Sequence, residues 1–364
     1  MRNIIHVVRH AQVADEGGTV RDNAFYEHFR KQPNVKTLAL GHGKIWDILR
    51  VLLCLRYKKR MILLHVSSMG FPILNNGPIG SIAARLLLWW FKILSTRNKV
   101  VLEVNDLFVD QARDLHLPVP INFQKIEQRI FSRKGVTYAF ASESMRKYAI
   151  EKFGIAHNET LTVINGDNPA PDSNAALLPV RIGSNHGLKF VYSGTLNKGR
   201  QIEKMLQSFE GGHNQLILLG KDGEWISQEY FKNSNIVYLG AFDSSRANAI
   251  VASCDVGLIP YPEDRGYFQI AYPTKVSSYL VAGIPFLSTR VREVERILEG
   301  YQGIGKCLPI DEWAIWINQI KHNELAEMKQ KIAPIRSDFT WEHILGRFEE
   351  TLVEIAQRSG PCKG

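Results

Sequence analysis

Short apolar runs alternate with amphipathic stretches along the whole chain. Apolar runs of four to eight residues, bounded by turn residues and separated by helical patterns, predict buried strands of parallel sheets that helices cover on both faces. The predicted strands of the first half are 4–8, 61–66, 100–104, 136–140 and 161–164. Those of the second half are 189–192, 215–219, 236–239, 256–259 and 285–287. Two such sets predict an α/β protein with two doubly wound domains.

A stretch without periodicity separates the two sets. Residues 168–187 are rich in Pro, Asn, Ser and Gly, which is typical of a linker. We therefore predict a first domain over 1–170 and a second over 186–338. Residues 341–357 have apolar positions at helical spacing and predict one long amphipathic helix, with Asp338 or Thr340 as its N-cap.

Composition narrows the class of protein. The chain has 364 residues, of which 45% are hydrophobic and 22% are charged, and this balance excludes disordered, collagen-like and coiled-coil chains. Its four cysteines are scattered, which argues against a disulfide framework or a thiolate zinc site. No signal peptide is apparent, and the longest apolar candidate for a membrane span, 79–91, contains Arg85. We expect a cytoplasmic protein.

The net charge of +9 lies entirely in the first half, because residues 1–180 hold 24 Lys and Arg against 15 Asp and Glu. Such an excess of positive charge favours a binding partner that is anionic, such as an anionic lipid, a nucleic acid or a phosphorylated substrate. Residues 44–60 form an amphipathic stretch with a cationic end, and 86–91 (LLLWWF) are apolar and aromatic. These segments predict either a peripheral contact with an anionic membrane surface or helices of the core. Nucleic acid is disfavoured, because the aromatics are not interleaved with the basic residues.

Three glycine-containing turns follow predicted strands. Glycine between a strand and a helix lets the backbone approach an anion, whose charge the free N–H groups of the helix start favour. Lysine or arginine nearby strengthens the interpretation as a phosphate site. Taken alone, the Gly17-Gly18 turn and the Gly220 turn are more typical of ordinary turns, and the alternative for the turn at Gly194 is a surface loop. The candidate residues in these turns are Gly17, Gly18, Ser193, Gly194, Lys198, Arg200 and Gly220.

The strongest motif is YPTKVSSYLVAGIPF, from 272 to 286, which follows Tyr261 of a Pro-Tyr-Pro triplet. Pro273 and Thr274 begin a predicted helix, and Lys275 lies in its first turn. A cation there opposes the helix dipole, which a bound anion would explain. The alternative is an amphipathic helix with a surface lysine.

Taken in order, these motifs resemble the GT-B glycosyltransferases, close to their large retaining family 4. The resemblance runs from the first glycine turn through SGTLNKG, LLGKDG, NIVYLG and ASCDVGLIPY to FTWEHILGRFEETL. The block PxKxSxYLxxGxP is also similar to bacterial galactofuranosyl- and adhesin glucosyltransferases. The resemblance implies a GT-B fold of two Rossmann-like domains with an interdomain cleft. The donor would bind the second domain and the acceptor the first, with residues 339–364 crossing back to the first domain.

Carried over residue by residue, the resemblance places Gly17 and Gly18 near the donor phosphates. It makes Lys198 the phosphate lysine and Lys275 the lysine of the PxK block.

Two departures weaken the match at the donor site. Thr195 stands where the family often has arginine, for which Arg200 is a substitute. Ile270 and Ser278 occupy the positions of the paired glutamates, the second of which usually holds the donor ribose.

The implied function is transfer of a hexose from a nucleotide sugar to a glycan, lipid-linked or protein acceptor in bacterial surface polysaccharide synthesis. A retaining enzyme of this type needs no enzymic base and no cofactor, and no DxD-type pair suggests a metal. An inverting enzyme would need a general base, for which Asp106 and His65 are candidates, although a histidine at a strand end is more often structural. Because the paired glutamates are missing, a non-catalytic partner subunit stays an alternative function for this chain. Their absence argues against a nucleotide-sugar epimerase.

Overall fold

The computed structural model describes residues 4–10, 17–41, 44–69, 77–170, 187–198, 201–230 and 235–357. The chain divides into two compact units, one formed by Met1–Ile164 with Ile344–Gly364 and the other by Asn165–His343. The predicted linker, 168–187, lies mostly outside the described residues, as does Arg200.

The first unit is built on a six-stranded, wholly parallel sheet in the order β2-β1-β3-β4-β5-β6. Its strands are β1 (Ile4–Arg9), β2 (Val35–Leu40), β3 (Met61–His65), β4 (Lys99–Val104), β5 (Val136–Phe140) and β6 (Thr160–Thr162). Its helices are α1 (Gly17–Phe29), α2 (Lys44–Leu53), α3 (Pro78–Arg97), α4 (Phe108–Asp114), α5 (Ile121–Phe131) and α6 (Glu143–Phe153). Every residue of β3 is buried, as expected of a central strand covered on both faces.

The second unit repeats this plan with the parallel order β12-β11-β10-β7-β8-β9. Its strands are β7 (Lys189–Ser193), β8 (Gln215–Leu219), β9 (Ile236–Gly240), β10 (Val256–Ile259), β11 (Phe286–Ser288) and β12 (Gly305–Cys307). Its helices are α7 (Ile202–Gln207), α8 (Glu224–Glu229), α9 (Ser244–Ala252), α10 (Gly266–Ile270), α11 (Thr274–Ala282), α12 (Arg292–Gly300), α13 (Trp313–Gln319) and α14 (His322–Ile332).

The last described helix, α15 (Trp341–Gln357), begins in the second unit and belongs to the first from Ile344 onward. Its N-cap is Thr340, whose hydroxyl accepts a hydrogen bond from the His343 amide at 3.3 Å. On the first unit, Phe348 packs edge-on against Phe25 and Phe29.

All ten predicted strands are present, with ends displaced by two residues at most, and the two strands that the pattern missed are β2 and β12. Both lie at the edge of their sheet, where one side of the strand has no neighbour. β2 and β12 are only partly buried, and their sequences, VKTLAL and GKC, lack the continuous apolar run of a central strand. Within the amphipathic stretch 44–60, α2 ends at Leu53 and a single 3-10 turn follows, Cys54–Arg56.

Helix α3 spans 20 residues, longer than the apolar run 79–91 suggested. By length and composition alone it is the one described helix that is apolar enough to cross a membrane. One face of it is nevertheless in the core, since Gly80, Ala84, Phe91 and Leu94 are buried. Trp90 is buried and Trp89 exposed, so the two indoles face different sides, as adjacent helical positions require.

Candidate functional site

Three glycines meet at the carboxyl edge of the second sheet, where β7, β8 and β9 end. The amide of Gly194 donates to the Leu219 carbonyl at 2.9 Å, and the amide of Gly220 donates to the Gly240 carbonyl at 2.9 Å. A side chain on Gly220 would lie 1.8 Å from the Gly194 carbonyl oxygen, so only glycine fits there. The carboxyl edge of a parallel sheet is where open α/β folds bind ligands.

Lys275 lies against this edge from the first turn of α11. A Cβ on Gly194 would be 2.9 Å from the Lys275 ammonium. The same ammonium lies 5.0 Å from the Tyr192 ring centre and 5.5 Å from that of Tyr261. Aromatic faces attract a cation at such distances and so help to fix its position. We call Tyr192, Gly194, Gly220, Tyr261 and Lys275 the Lys275 cluster.

Buried hydrogen bonds hold α11 in place. Tyr279, one turn after Lys275, donates to the Leu258 carbonyl at 3.0 Å, and its ring leaves no room for a side chain on Gly257. Ser277 donates to the Asn165 carbonyl at 2.5 Å. Pro273 is the N-cap and Gly283 ends the helix in the left-handed conformation, as the sequence predicts. The helix start that carries Lys275 is therefore fixed to β10.

An open cavity of about 470 Å³ adjoins the cluster. It shares Gly220 with the cluster, and the Tyr238 hydroxyl closes one side by donating to the Gly220 carbonyl at 3.0 Å. The cavity is lined by Gly220, Lys221, Asp222, Glu224, Tyr238, Leu239, Gly240 and Ala241. Of these, only Gly220 is a site residue that the sequence predicts. Lys221 and Asp222 follow the end of β8, and the last three residues of β9 with Ala241 form the other side, so position at a strand end is the signal that would have found them.

The remaining predicted donor residues of this unit are placed differently. Lys198 pairs with Glu229 at 2.5 Å and lies over the Trp225 ring, on an exposed surface. Lys275, and not Lys198, thus contacts the glycine edge. Ser193 ends β7, and Thr274 is the first residue of α11. The Ser278 hydroxyl donates back to the Thr274 carbonyl at 3.4 Å.

In the first unit, Gly17 and Gly18 do not form a turn ahead of a helix beginning near Arg21, because α1 already begins at Gly17. Further along α1, Arg21, Asp22 and Phe25 are all buried. The glycines occupy the first turn, whose amides have no partner within the helix.

His65 lies in a buried polar cluster rather than at a surface. Its Nδ1 donates to Asp22 at 2.9 Å and contacts a Glu103 oxygen at 3.1 Å, while Arg21 pairs with the other Glu103 oxygen at 2.7 Å. His6 lies 3.1 Å from His65 Nε2. His65 is 0% exposed, so a substrate has no access to it. The geometry favours the structural alternative over a direct catalytic role.

The charges of this cluster are mutually dependent. Burial alone would lower the pKa of His65, but the Glu103 and Asp22 carboxylates raise it to about 9. Burial would likewise raise the pKa of Glu103, but Arg21 and His65 lower it. Burial and the neighbouring His65 hold the pKa of His6 well below its usual range. His65 is therefore charged and His6 neutral near pH 7.

Asp22, His65 and Glu103 are also the only described group of three side chains close enough to share a metal ion. They fit one poorly, because Arg21 and protonated His65 already neutralise the two carboxylates.

Asp106 follows β4, in the loop before α4. Its carboxylate accepts hydrogen bonds from the Asn105 side chain at 2.7 Å and from the Gln111 side chain at 3.5 Å. It lines a cavity of about 10 Å³, room for about one water molecule. Within the first unit this cavity is too small to take a sugar, and the role of Asp106 as a base remains a prediction.

Comparison with known proteins agrees with this geometry. Residues 190–344 match the family described as Glucosyltransferase 3-like, C-terminal domain. No curated protein matches the chain.

Solved structures match over nearly the whole length. A sucrose-phosphate synthase from Thermosynechococcus elongatus is 14% identical with a TM-score of 0.70, covering 98% of this chain and 100% of its own. The Anabaena protein HepE, solved in complex with UDP, is 15% identical with a TM-score of 0.63. The match covers 97% of this chain and 100% of HepE. A glycosyltransferase from Rickettsia africae is 10% identical with a TM-score of 0.61. The match covers 98% of this chain and 99% of that enzyme.

At these identities the structures establish the fold, and the expected GT-B fold of two Rossmann-like domains is confirmed. The family match to the second unit agrees with a glycosyltransferase of this fold.

Proposed function

We propose that this chain transfers a hexose from a nucleoside diphosphate sugar, which binds at the carboxyl edge of the second sheet. The observation that carries the proposal is the Lys275 ammonium, which contacts the Gly194 turn beside an open cavity of about 470 Å³. A fixed cation next to a cavity with a glycine-lined edge suits a diphosphate joined to a larger organic group.

In this arrangement the diphosphate faces Lys275 and the amides at the start of α11. The nucleoside lies in the cavity beyond Gly220, where Leu239, Gly240 and Ala241 offer backbone groups to a base. HepE has been solved with UDP and with UDP-glucose, which supports a uridine nucleotide as the first donor to test. Asp222 and Glu224 line the same cavity and supply carboxylates for a ribose, in place of the glutamate absent at Ser278.

The reaction breaks the bond between the sugar C1 and the diphosphate oxygen and joins C1 to an acceptor hydroxyl. Lys275 stabilises the negative charge that develops on the leaving diphosphate. We propose retention of configuration, with the donor phosphate oxygen taking the acceptor proton, and no requirement for a metal ion. The acceptor we propose is a glycan, a lipid-linked sugar or a protein in bacterial surface glycoconjugate synthesis.

The test is turnover of UDP-glucose and other nucleotide sugars by the purified full-length chain, measured as UDP release with and without EDTA. We expect release that EDTA does not change, and an α-linked product from an α-linked donor when the anomeric carbon is followed by NMR. A chain that binds nucleoside diphosphates but turns over no donor would be a non-catalytic partner subunit. Release abolished by EDTA and restored by a divalent ion would contradict metal independence.

A further inference from the structure

Helix α3 exposes a stripe of large apolar side chains. Ile79, Ile82, Leu86 and Trp89 follow spacings of three, four and three residues, which place them on one side of the helix. They are 76%, 58%, 59% and 55% exposed. The side of α3 that packs into the first unit is formed by other residues, among them Ala84, Phe91 and Leu94. The core therefore does not account for the stripe.

The neighbouring helix α2 has a stripe of the same kind. Trp46, Leu49 and Leu53 lie at spacings of three and four and are 66%, 44% and 53% exposed. The two helices are joined by a hydrogen bond of 3.1 Å from the Trp90 indole to the Val51 carbonyl. We call the exposed apolar residues of α2 and α3 the apolar surface. Large exposed apolar side chains grouped in this way are typical of sites of interaction.

The sequence that follows the start of α2 and includes all of α3 is strongly basic. From Asp47 to Glu103 there is no acidic residue between the two, while nine lysines and arginines occur there. Arg85 and Lys92 are exposed on α3 beside the stripe, and Lys58 and Lys59 are exposed after α2. A second copy of this chain would bring like charges together, whereas an anionic partner would complement them.

We propose that the apolar surface docks on the interface of an anionic lipid bilayer, with the α3 stripe in the acyl boundary and the lysines and arginines at the lipid phosphates. Tryptophan is suited to this interface because its ring is apolar and its N–H polar, and Trp46 and Trp89 supply one on each helix. An amphipathic helix that lies in the interface presents one apolar side and flanking cations, as α3 does. The inference does not rest on the proposed donor site, which lies in the other unit.

The test is co-sedimentation of the full-length chain with phosphatidylcholine vesicles, with and without phosphatidylglycerol. We expect binding to the anionic vesicles at low salt, weakened steeply by salt, and little binding to the neutral ones. Ile82→Gln should weaken binding several-fold, and Arg85→Gln by about fivefold. Ile315→Gln is the matched control, because Ile315 is 59% exposed in the second unit, and should bind as the unchanged chain does.

Equal binding to neutral and anionic vesicles at low salt, or no loss of binding with Ile82→Gln, would overturn the proposal. A stable dimer that Ile82→Gln dissociates, seen by light scattering without vesicles, would assign the surface to a second copy instead. If Ile82→Gln lowers the melting temperature, Ile79→Gln replaces it, since Ile79 is 76% exposed.

Discussion

The Lys275 ammonium lies 5.0 Å from the centre of the Tyr192 ring. Tyr192 belongs to β7 and Lys275 to the first turn of α11, so this contact joins a strand end to a helix start that lie more than 80 residues apart in the sequence. The Tyr192 hydroxyl also donates to the Thr195 carbonyl at 2.9 Å, which fixes the turn that follows the strand. One tyrosine thus holds both the lysine and the glycine turn that faces it.

Gly194→Ala should lower donor turnover while the fold is retained. The new methyl would lie 2.9 Å from the Lys275 ammonium, the flexible end of a long side chain, which can move aside. The φ of +154° at Gly194 disfavours a side chain, so we also expect some loss of stability. Displacing a positioned cation by about 1 Å is expected to cost roughly tenfold to a hundredfold in kcat/KM. Steady-state kinetics together with a melting curve measure the two effects. Unchanged turnover would remove Gly194 from the donor site.

Gly220→Ala should instead destabilise the second unit. Its methyl would lie 1.8 Å from the Gly194 carbonyl oxygen, which is backbone that cannot move without disturbing the sheet edge, and its φ of +145° disfavours a side chain. We expect a loss of about 1–3 kcal/mol or more, as for other overpacked sites. Urea denaturation measures it, with Gly300→Ala as control, because a side chain there meets nothing within 4 Å. Equal stability of the two variants would contradict the geometry.

Lys198→Ala should have a smaller effect on turnover than Lys275→Ala. In the structure the Lys198 ammonium is engaged by Glu229 on an exposed surface, whereas Lys275 contacts the glycine edge. An exposed ion pair contributes about 0–1 kcal/mol to folding, so the stability of Lys198→Ala should stay near that of the unchanged chain. Steady-state kinetics of both variants with the same donor show which variant loses more turnover. A larger loss with Lys198→Ala would restore the phosphate role that the sequence predicts.

The first unit should be most stable near neutral pH. The pKa of His65 is about 9 in the folded chain against 6.5 for free histidine, so its contribution is complete below pH 6.5 and is lost as the pH rises through 9. The pKa of His6 is lowered, so the folded chain loses stability as the pH falls below 6.5, where the unfolded chain binds a proton that the buried His6 does not. The alkaline loss is on the order of 2 to 3 kcal/mol.

Urea denaturation between pH 7 and 9.5, followed by tryptophan fluorescence, measures this dependence. His65→Gln should be less stable at pH 7 and should lose the decline towards pH 9.5. His322→Gln, which alters an exposed histidine of the second unit, should keep the decline in stability towards pH 9.5. The same slope in His65→Gln as in the unchanged chain would assign the alkaline decline to other groups.

The sequence predicted best what depends on continuous burial. Central strands such as β5, β8 and β10 matched to the residue, because a strand covered on both faces is apolar throughout. The Lys275 motif also contains the residues that mark both ends of its helix, with Pro273 before the helix and Gly283 after it. Edge strands β2 and β12 are only partly buried and show no such run.

What sequence alone did not provide was the partner of each charged group. Lys198 and Lys275 both follow a strand and precede or begin a helix, yet one pairs with Glu229 and the other contacts Gly194. The same holds for His65, whose buried partners Asp22 and Glu103 lie 43 and 38 residues away. Such pairings depend on which helix packs on which strand, and periodicity does not encode this.

The central claim is that Lys275 faces a nucleoside diphosphate, and calorimetric titration of UDP into the full-length chain tests it most directly. Lys275→Ala should weaken UDP binding roughly tenfold or more, since a charged hydrogen bond is worth about 1.5–3 kcal/mol. Lys306→Ala removes an exposed lysine of the same unit and should bind UDP as the unchanged chain does. Equal UDP affinity in both variants, with both folded, would contradict the account.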